Sequence, residues 1–343
     1  MDKKIILSVA GSGKTSLIVE KLNLAKKYII LTYTNANYDN LCNKVRIKFG
    51  GTIPSNIFIY KFDFFLFNIL FKAMYSDSFP ELNGIEFDSS KINRFIGKDN
   101  PYYWNNGKMV YSARLSFKLL SDELSLIQRI HTITDCLVID EVQDIGSRDF
   151  DLIMSFSKSN IELLYVGDFY QHTYQTSADN NYKQSLFNDF DKYVKCLKES
   201  GFAVDDKTLK SSYRCSKSVC NYVSNNLGID IVSHRSDETV IKEIVDKNKI
   251  KEVWNNNDIV KLHYQLASNY VGNHRNWGDV KGEDNYNDVC IVLNKSTFDA
   301  YKKNKLKDLP PGTKAKLYVA ITRARGNVYF LNYNEIKDLD LIL

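Results

Sequence analysis

The chain has 343 residues, 44% of them hydrophobic and 25% charged. That is the composition of a folded globular protein of about two ordinary domains, not of a disordered, collagenous or membrane-spanning one. The formal net charge of +5 permits a polyanionic partner without demanding one. The six cysteines (Cys42, Cys136, Cys196, Cys215, Cys220, Cys290) include no C-x-x-C pair, and no histidine stands at zinc spacing. No zinc-site spacing is present, and a cytoplasmic, reducing setting is expected.

The chain opens on "KIILSV", an apolar, β-branched run that predicts a buried strand. It leads directly into the glycine turn "AGSGKT" and then into helically spaced residues 14–27. No secretory signal is expected, because the first apolar run is too short, and no run reaches the roughly 18 apolar residues of a membrane span. "YIILTYT" predicts a second strand, residues 36–48 a helix, "NIFIYKF" a third strand and residues 63–75 a helix. This β-α rhythm argues for a parallel sheet with helices on both faces. It breaks at residues 76–110, rich in Asn, Asp, Ser and Tyr; the region of about 76–130 reads as a small insertion. A helix near 112–131 returns the chain to the strand "CLVIDEVQD", followed by helix 147–158 and strand "IELLYVGD".

A second α/β unit is expected from about residue 205, giving domains of 1–204 and 205–343. "TLKSSYRCSKSVCNYVSNNLGI" predicts a short strand and a helix. "DIVKLHY", "DVCIVL" and "NVYFLNY" predict strands, and "KAKLYVAITRAR" a mostly helical segment. Residues 228–258 are polar and carry no clear period. "KKNKLKDLPPGTKAK", residues 302–316, is the clearest basic stretch, with a solvated loop as its default reading.

A glycine turn between strand and helix aims backbone N–H groups outward at the positive end of a helix, where a phosphate fits. Ala10, Gly11, Ser12, Gly13, Lys14, Thr15 and Ser16 are therefore the candidate phosphate loop. Lys14 would reach the outer phosphates and Thr15 would hold Mg²⁺. The strict pattern asks for glycine where Ser8 stands, so by itself the stretch also describes an ordinary strand-to-helix turn. Asp140 and Glu141 end an apolar strand at the edge where open α/β sheets bind ligands. Asp140 is placed to hold the metal and Glu141 to deprotonate water. The other reading of this pair is an acid cluster at a helix N-terminus.

Together, "AGSGKT" and "DEVQD" resemble superfamily 1 helicases of the UvrD/Rep type. Further stretches resemble that family's motifs in order: "LTYTNANYDNL", "LLYVGDFYQHTY", "LKSSYRCS", "NWGDVKGEDNYNDVCIVL" and "KLYVAITRAR". The resemblance spans nearly the whole chain. It implies an α/β fold with two RecA-like domains, ATP in the cleft between them and single-stranded nucleic acid across both. It implies an ATP-dependent helicase or translocase on single-stranded DNA, RNA not being excluded, moving 3′→5′. It assigns Gln171 to sensing the γ-phosphate, Arg214 and Arg323 to clamping it, and Glu283 to meeting the sugar. Thr32, Tyr33, Asn35, Tyr174 and Trp277 would contact nucleic acid; the tyrosines would equally serve core packing, and Trp277 could brace its loop. A P-loop kinase explains the phosphate loop but none of the later motifs.

Two departures shape further expectations. Only nine residues precede Ala10, none of them glutamine, so weak discrimination among nucleoside triphosphates is expected. The large domain that relatives insert before "NWGDVKGED" has no counterpart, so a protein partner would supply a strand-separating wedge. The alternative function is a nucleotide-gated DNA sensor that controls a partner nuclease, as in phage defence.

Overall fold

Apolar runs bounded by turn residues form parallel strands when helices cover both faces of the sheet, because only then is every side chain out of water. A computed structural model describes residues 2–93, 95–173 and 183–338 of the chain. The described residues fall into two units. One holds those of Met1–Leu7, Lys14–Gly167 and Gln175–Asp205; the other holds those of Ser8–Gly13, Asp168–Tyr174 and Asp206–Leu343.

The first unit alternates strand and helix as its sequence predicts. Its elements begin with β1 (Lys3–Leu7), α1 (Lys14–Lys21), β2 (Tyr28–Thr32), α2 (Asn35–Lys48) and β3 (Ile57–Lys61). A continuous helical stretch follows, α3 (Phe62–Phe64), a π-helical segment Phe65–Phe71 and α4 (Lys72–Tyr75). The insertion contributes a small parallel pair, β4 (Gly84–Glu86) and β5 (Met109–Tyr111), and then α5 (Ser112–Ser121) and α6 (Glu123–Ile133). The unit closes with β6 (Cys136–Asp140), α7 (Ser147–Ser155), β7 (Glu162–Gly167), α8 (Phe190–Glu199) and β8 (Ala203–Asp205). Its main sheet is ordered β3-β2-β6-β7-β1-β8, every pair parallel. The central strands β2 and β6 are buried along their whole length, which explains why they read as unbroken apolar runs.

Two helices differ from the sequence reading for local reasons. The first ends at Lys21, not near 27: Lys48 Nζ donates to the carbonyls of Val19, Glu20 and Leu22 and caps the helix from outside. The helix expected over 112–131 is two helices, parted at Asp122, whose backbone leaves the helical region at φ −120°, ψ 49°.

The second unit contains β9 (Ser211–Ser212), α9 (Lys217–Leu227), β10 (Val232–Ser233), β11 (Ile241–Glu243), α10 (Lys247–Asn255), β12 (Val260–His263), β13 (His274–Asn276), β14 (Val289–Leu293), α11 (Lys295–Lys302), α12 (Pro311–Ile321) and β15 (Val328–Asn332). Its five-stranded sheet runs β11-β15-β14-β12-β13, again all parallel. Ser216 caps the start of α9 through its hydroxyl, and Gly228, at φ +68°, closes the other end. Val260, Leu262, Val289, Ile291 and Leu293 pack with Val219, Val223 and the buried face of α12 as its core. No helix of the described residues is long and apolar enough to cross a membrane.

Candidate active site and nucleic-acid interface

In the first unit, Lys14 and Thr15 open α1, the helix that follows the phosphate loop. Asp140 ends β6 and Glu141 follows it in a left-handed conformation, φ 60°. A non-glycine residue held there costs of order 1 kcal/mol or more and persists only where its surroundings enforce it. Those surroundings are polar: Lys14 Nζ lies 3.5 Å from Glu141 Oε1, and Gln143 Nε2 donates to Glu141 Oε2 at 2.6 Å. Gly167 ends β7 beside them because nothing larger fits. A Cβ there would stand 2.3 Å from Gln143 Oε1 and 2.9 Å from a Val142 methyl group. Ser16 Oγ accepts from Lys44 Nζ at 3.0 Å.

Asp140 is 3% exposed, and its Oδ1 has no hydrogen-bond partner among the described residues. Burial, then the neighbouring Glu141 carboxylate, push its carboxyl up to about 7, against the pull of Lys14. A buried carboxylate oxygen without a donor fits a cation ligand. No group of three or more His, Cys, Asp or Glu among the described residues makes a metal site by itself. One carboxylate and the Thr15 hydroxyl suit Mg²⁺, which keeps waters and takes phosphate oxygens for its other positions.

The loop residues Ser8–Gly13 belong with the second unit. Gly11 and Gly13 have φ +70° and +87°, and a Cβ on Gly11 would lie 2.7 Å from both Arg214 Cβ and Ser212 Oγ. Backbone hydrogen bonds tie the loop to the arginine segment: Val9 N donates to Leu209 O at 3.0 Å and Tyr213 N to Gly11 O at 2.9 Å. Ser12 Oγ is buried and has no partner among the described residues, which suits a loop that awaits an anion.

Arg323 is 2% exposed and lies two residues beyond the end of α12. Its Nη2 donates to Gln171 Oε1 at 3.3 Å and its Nη1 to Glu283 O at 3.1 Å. Gln171 Nε2 donates to Asp168 Oδ2 at 2.9 Å. Tyr318 completes a buried chain: Ala10 N donates to its hydroxyl at 2.9 Å, and that hydroxyl donates to Asp168 Oδ2 at 3.1 Å. Burial raises the Tyr318 pKa well above that of a free phenol, so the proton stays in place. Besides the expected Gln171 and Arg323, this network includes two residues that the sequence does not single out, Tyr318 and Asp168. Their signal was a polar side chain inside otherwise apolar runs, "LYVAIT" and "LLYVGD".

The carboxylate that meets the arginines is Asp284, a residue the sequence does not single out. Asp284 Oδ1 pairs with Arg214 Nη2 and lies 3.5 Å from Arg323 Nη1, whereas the Glu283 carboxylate accepts from the Tyr286 hydroxyl. Trp277 is fully buried, its Nε1 donating to Leu262 O at 2.9 Å and its ring edge-on to Tyr264, so it braces the core and shows no face to a base. Thr32 is buried at the end of β2 and its hydroxyl has no partner among the described residues. Tyr33 is half-buried, and Asn35 is exposed in the first turn of α2. Tyr174 lies outside the described residues. Five of the six cysteines are buried and all are free; burial pushes the thiols of Cys136 and Cys290 up to about 12, so these two are core residues.

A family model described as "Viral superfamily 1 RNA helicase core domain" matches residues 118–332, well over half of the chain. The chain belongs to this family. Superfamily 1 membership is thus shown, but the match falls to the viral branch and not to UvrD/Rep. No curated protein matches the chain. Among solved structures, an Arterivirus nonstructural protein 10 (helicase) in complex with DNA is similar at 14% identity and a TM-score of 0.51; the alignment covers 98% of this chain and 63% of that one. A PRRSV helicase is similar at 12% identity and a TM-score of 0.49, covering 96% of this chain and 52% of that one. This helicase core thus spans between about half and two thirds of the solved helicases it matches. The α/β fold with helix-flanked parallel sheets is the fold of such helicases, consistent with two RecA-like domains.

Proposed function

We propose that this chain is a motor that hydrolyses ATP and moves 3′→5′ along single-stranded nucleic acid, its motif-bearing halves being residues 1–204 and 205–343. One observation carries the reading. The phosphate-loop glycine Gly11 abuts Arg214, and in the same unit Arg323 is held by Gln171. A basic clamp that close to a phosphate loop suits transfer of a phosphoryl group, whose charge grows on the outer oxygens.

Roles follow from positions. The N–H groups of Gly11–Gly13 and the Lys14 ammonium bind the phosphates, Thr15 and Asp140 hold Mg²⁺, and Glu141 takes the proton of the attacking water. Bound there, the ion would offset phosphate charge. Gln143 fixes which way Glu141 points, and Gln171 does the same for Arg323. Thr32, Tyr33 and Asn35, at and after the end of β2, are the nucleic-acid contacts proposed for the first unit.

The test is steady-state ATP hydrolysis with and without single-stranded DNA or RNA, run beside displacement of strands from 3′- and 5′-tailed duplexes. Strong stimulation with displacement from the 3′ tail supports the motor. Hydrolysis indifferent to both nucleic acids would sink it.

A further inference from the structure

We propose that the segment from Lys303 to Lys316, with Tyr264, is a contact surface for single-stranded nucleic acid: its lysines meet the phosphates and the tyrosine ring takes a base. The proposal rests on the functional reading above and deepens it by naming where the strand is held.

Charge is the first observation. Residues 302–316 carry six lysines against the single Asp308, a surplus of five that equals the net charge of the whole chain. The charges of the remaining residues sum to zero. Lys302 is neutralised by both carboxylate oxygens of Glu243, at 2.8 and 2.6 Å. Lys303, Lys305, Lys307, Lys314 and Lys316 have no carboxylate partner among the described residues.

Order is the second. A solvated loop would let these charges drift apart, but this segment is pinned. Leu306 is 2% exposed, and Leu309 packs against the same core. Lys305 N donates to Ala300 O at 2.8 Å and Lys314 N to Pro310 O at 2.9 Å. The fold therefore ties these side chains to the segment: Lys314 Nζ donates to Lys307 O at 3.2 Å, and Lys316 Nζ lies 5.1 Å from the centre of the Tyr264 ring. Uncompensated like charges along one ordered segment form a field that favours a polyanion.

The third observation selects the polyanion. Tyr264 is tied to this segment, its hydroxyl 3.5 Å from Thr313 Oγ1. It also lines a recess of about 510 Å³ at the carboxyl ends of β12 and β14, together with Gln265, Asn269, Tyr270 and Asn294. Lysines bordering an aromatic face and side-chain amides suit a sugar-phosphate backbone with an unstacked base. An acidic peptide would use the lysines and leave the ring idle. A duplex would keep its bases out of the ring's reach.

The experiment is fluorescence anisotropy of a labelled single-stranded oligonucleotide, DNA and RNA in turn, with the full chain between about 50 and 200 mM salt. Each phosphate contact removed from a single strand lowers the log–log salt slope by about 0.7, so Lys307→Gln/Lys314→Gln/Lys316→Gln should lower it by about 2 and weaken binding at least tenfold. Tyr264→Leu should weaken binding about tenfold and leave the slope unchanged, as loss of stacking does. Variants that bind like the parent with the parent's slope would overturn the surface while leaving the motor standing. Weaker binding of the lysine variant at an unchanged slope would overturn the phosphate contacts. A parent chain that binds neither oligonucleotide would overturn both the surface and the functional reading. Lys307 is exposed, Lys314 and Lys316 are half-buried, and none has a carboxylate partner among the described residues, so the triple variant should keep the parent's thermal transition.

Discussion

Glu141 and Lys14 stand 3.5 Å apart, at the distance where each stabilises the charge of the other. Lys14→Ala removes the cation that would reach the phosphates, and hydrolysis should fall to background. Glu141→Gln keeps the shape and removes the base. It should lower turnover by about 10²–10⁴ while a fluorescent nucleotide still binds with Mg²⁺; normal turnover would remove Glu141 from its role. The neighbours Glu283 and Asp284 give a sharper test. Asp284→Asn leaves Arg214 and Arg323 without their shared carboxylate and should slow hydrolysis about tenfold, the scale of one charge-assisted contact. Glu283→Gln disturbs only the Tyr286 contact and should stay within about twofold of the parent. The reverse ranking would mean that the Asp284 pairs do not serve hydrolysis. Sequence alone singles out Glu283, for the sugar, and gives no sign that Asp284 pairs with the arginines. They are adjacent, and only the path of the backbone decides which carboxylate faces the guanidinium groups.

At the scale of elements, the strands were readable because a parallel sheet buried on both faces demands unbroken apolar runs, and β2, β6 and β14 are such runs. Helix ends were less readable, since α1 stops where Lys48 arrives from a different helix. Trp277 reads in sequence either as a nucleic-acid contact or as a loop brace for a related reason: a buried tryptophan and one that stacks on a base look alike until the fold says which way the ring turns. The strand pair β12–β13 also hides a feature no motif announces. His263 Nε2 and His274 Nδ1 lie 2.9 Å apart beneath the stacked ring of Tyr270, with the buried Lys261 nearby. Burial, and then the neighbouring ring and Lys261, lower His263 to about 3; burial and Lys261 lower His274 to about 4. The unfolded chain would bind these protons near pH 6.5, so it holds more of them than the folded chain between about pH 4 and 6.5. Stability is therefore full above about 6.5 and declines as pH falls, by roughly 2 kcal/mol per histidine at pH 5. Urea midpoints measured from pH 7 down to 5 should show the decline, and an NMR titration should show neither ring protonating near 6.5.

On the scale of the whole molecule, the two units are interleaved along the chain. A boundary near residue 205 is the natural reading of the sequence, yet Ser8–Gly13 and described residues of Asp168–Tyr174 belong with the C-terminal half. Part of the reason is apolar, Val9 and Ala10 lying in the core of the second unit, and part is polar. The Tyr318 hydroxyl accepts from Ala10 N and donates to Asp168, and Arg323 leans on Gln171. These partners are supplied by loops from the N-terminal half of the sequence, and propensity or periodicity cannot reveal such a debt. The consequence can be measured with a cycle of variants. In the full chain, Tyr318→Phe deletes one donor and one acceptor inside a buried network and should cost about 1–2 kcal/mol in urea unfolding followed by tryptophan fluorescence. In a fragment of residues 205–343, both partners of the hydroxyl are already gone and water can reach it, so the same change should be close to neutral. The fragment itself should be less stable than the corresponding transition of the full chain, since Arg323 loses Gln171 as well. An equal cost of Tyr318→Phe in both settings would mean that the hydroxyl does not couple the phosphate loop to α12, and a simple division at residue 205 would then describe the molecule better.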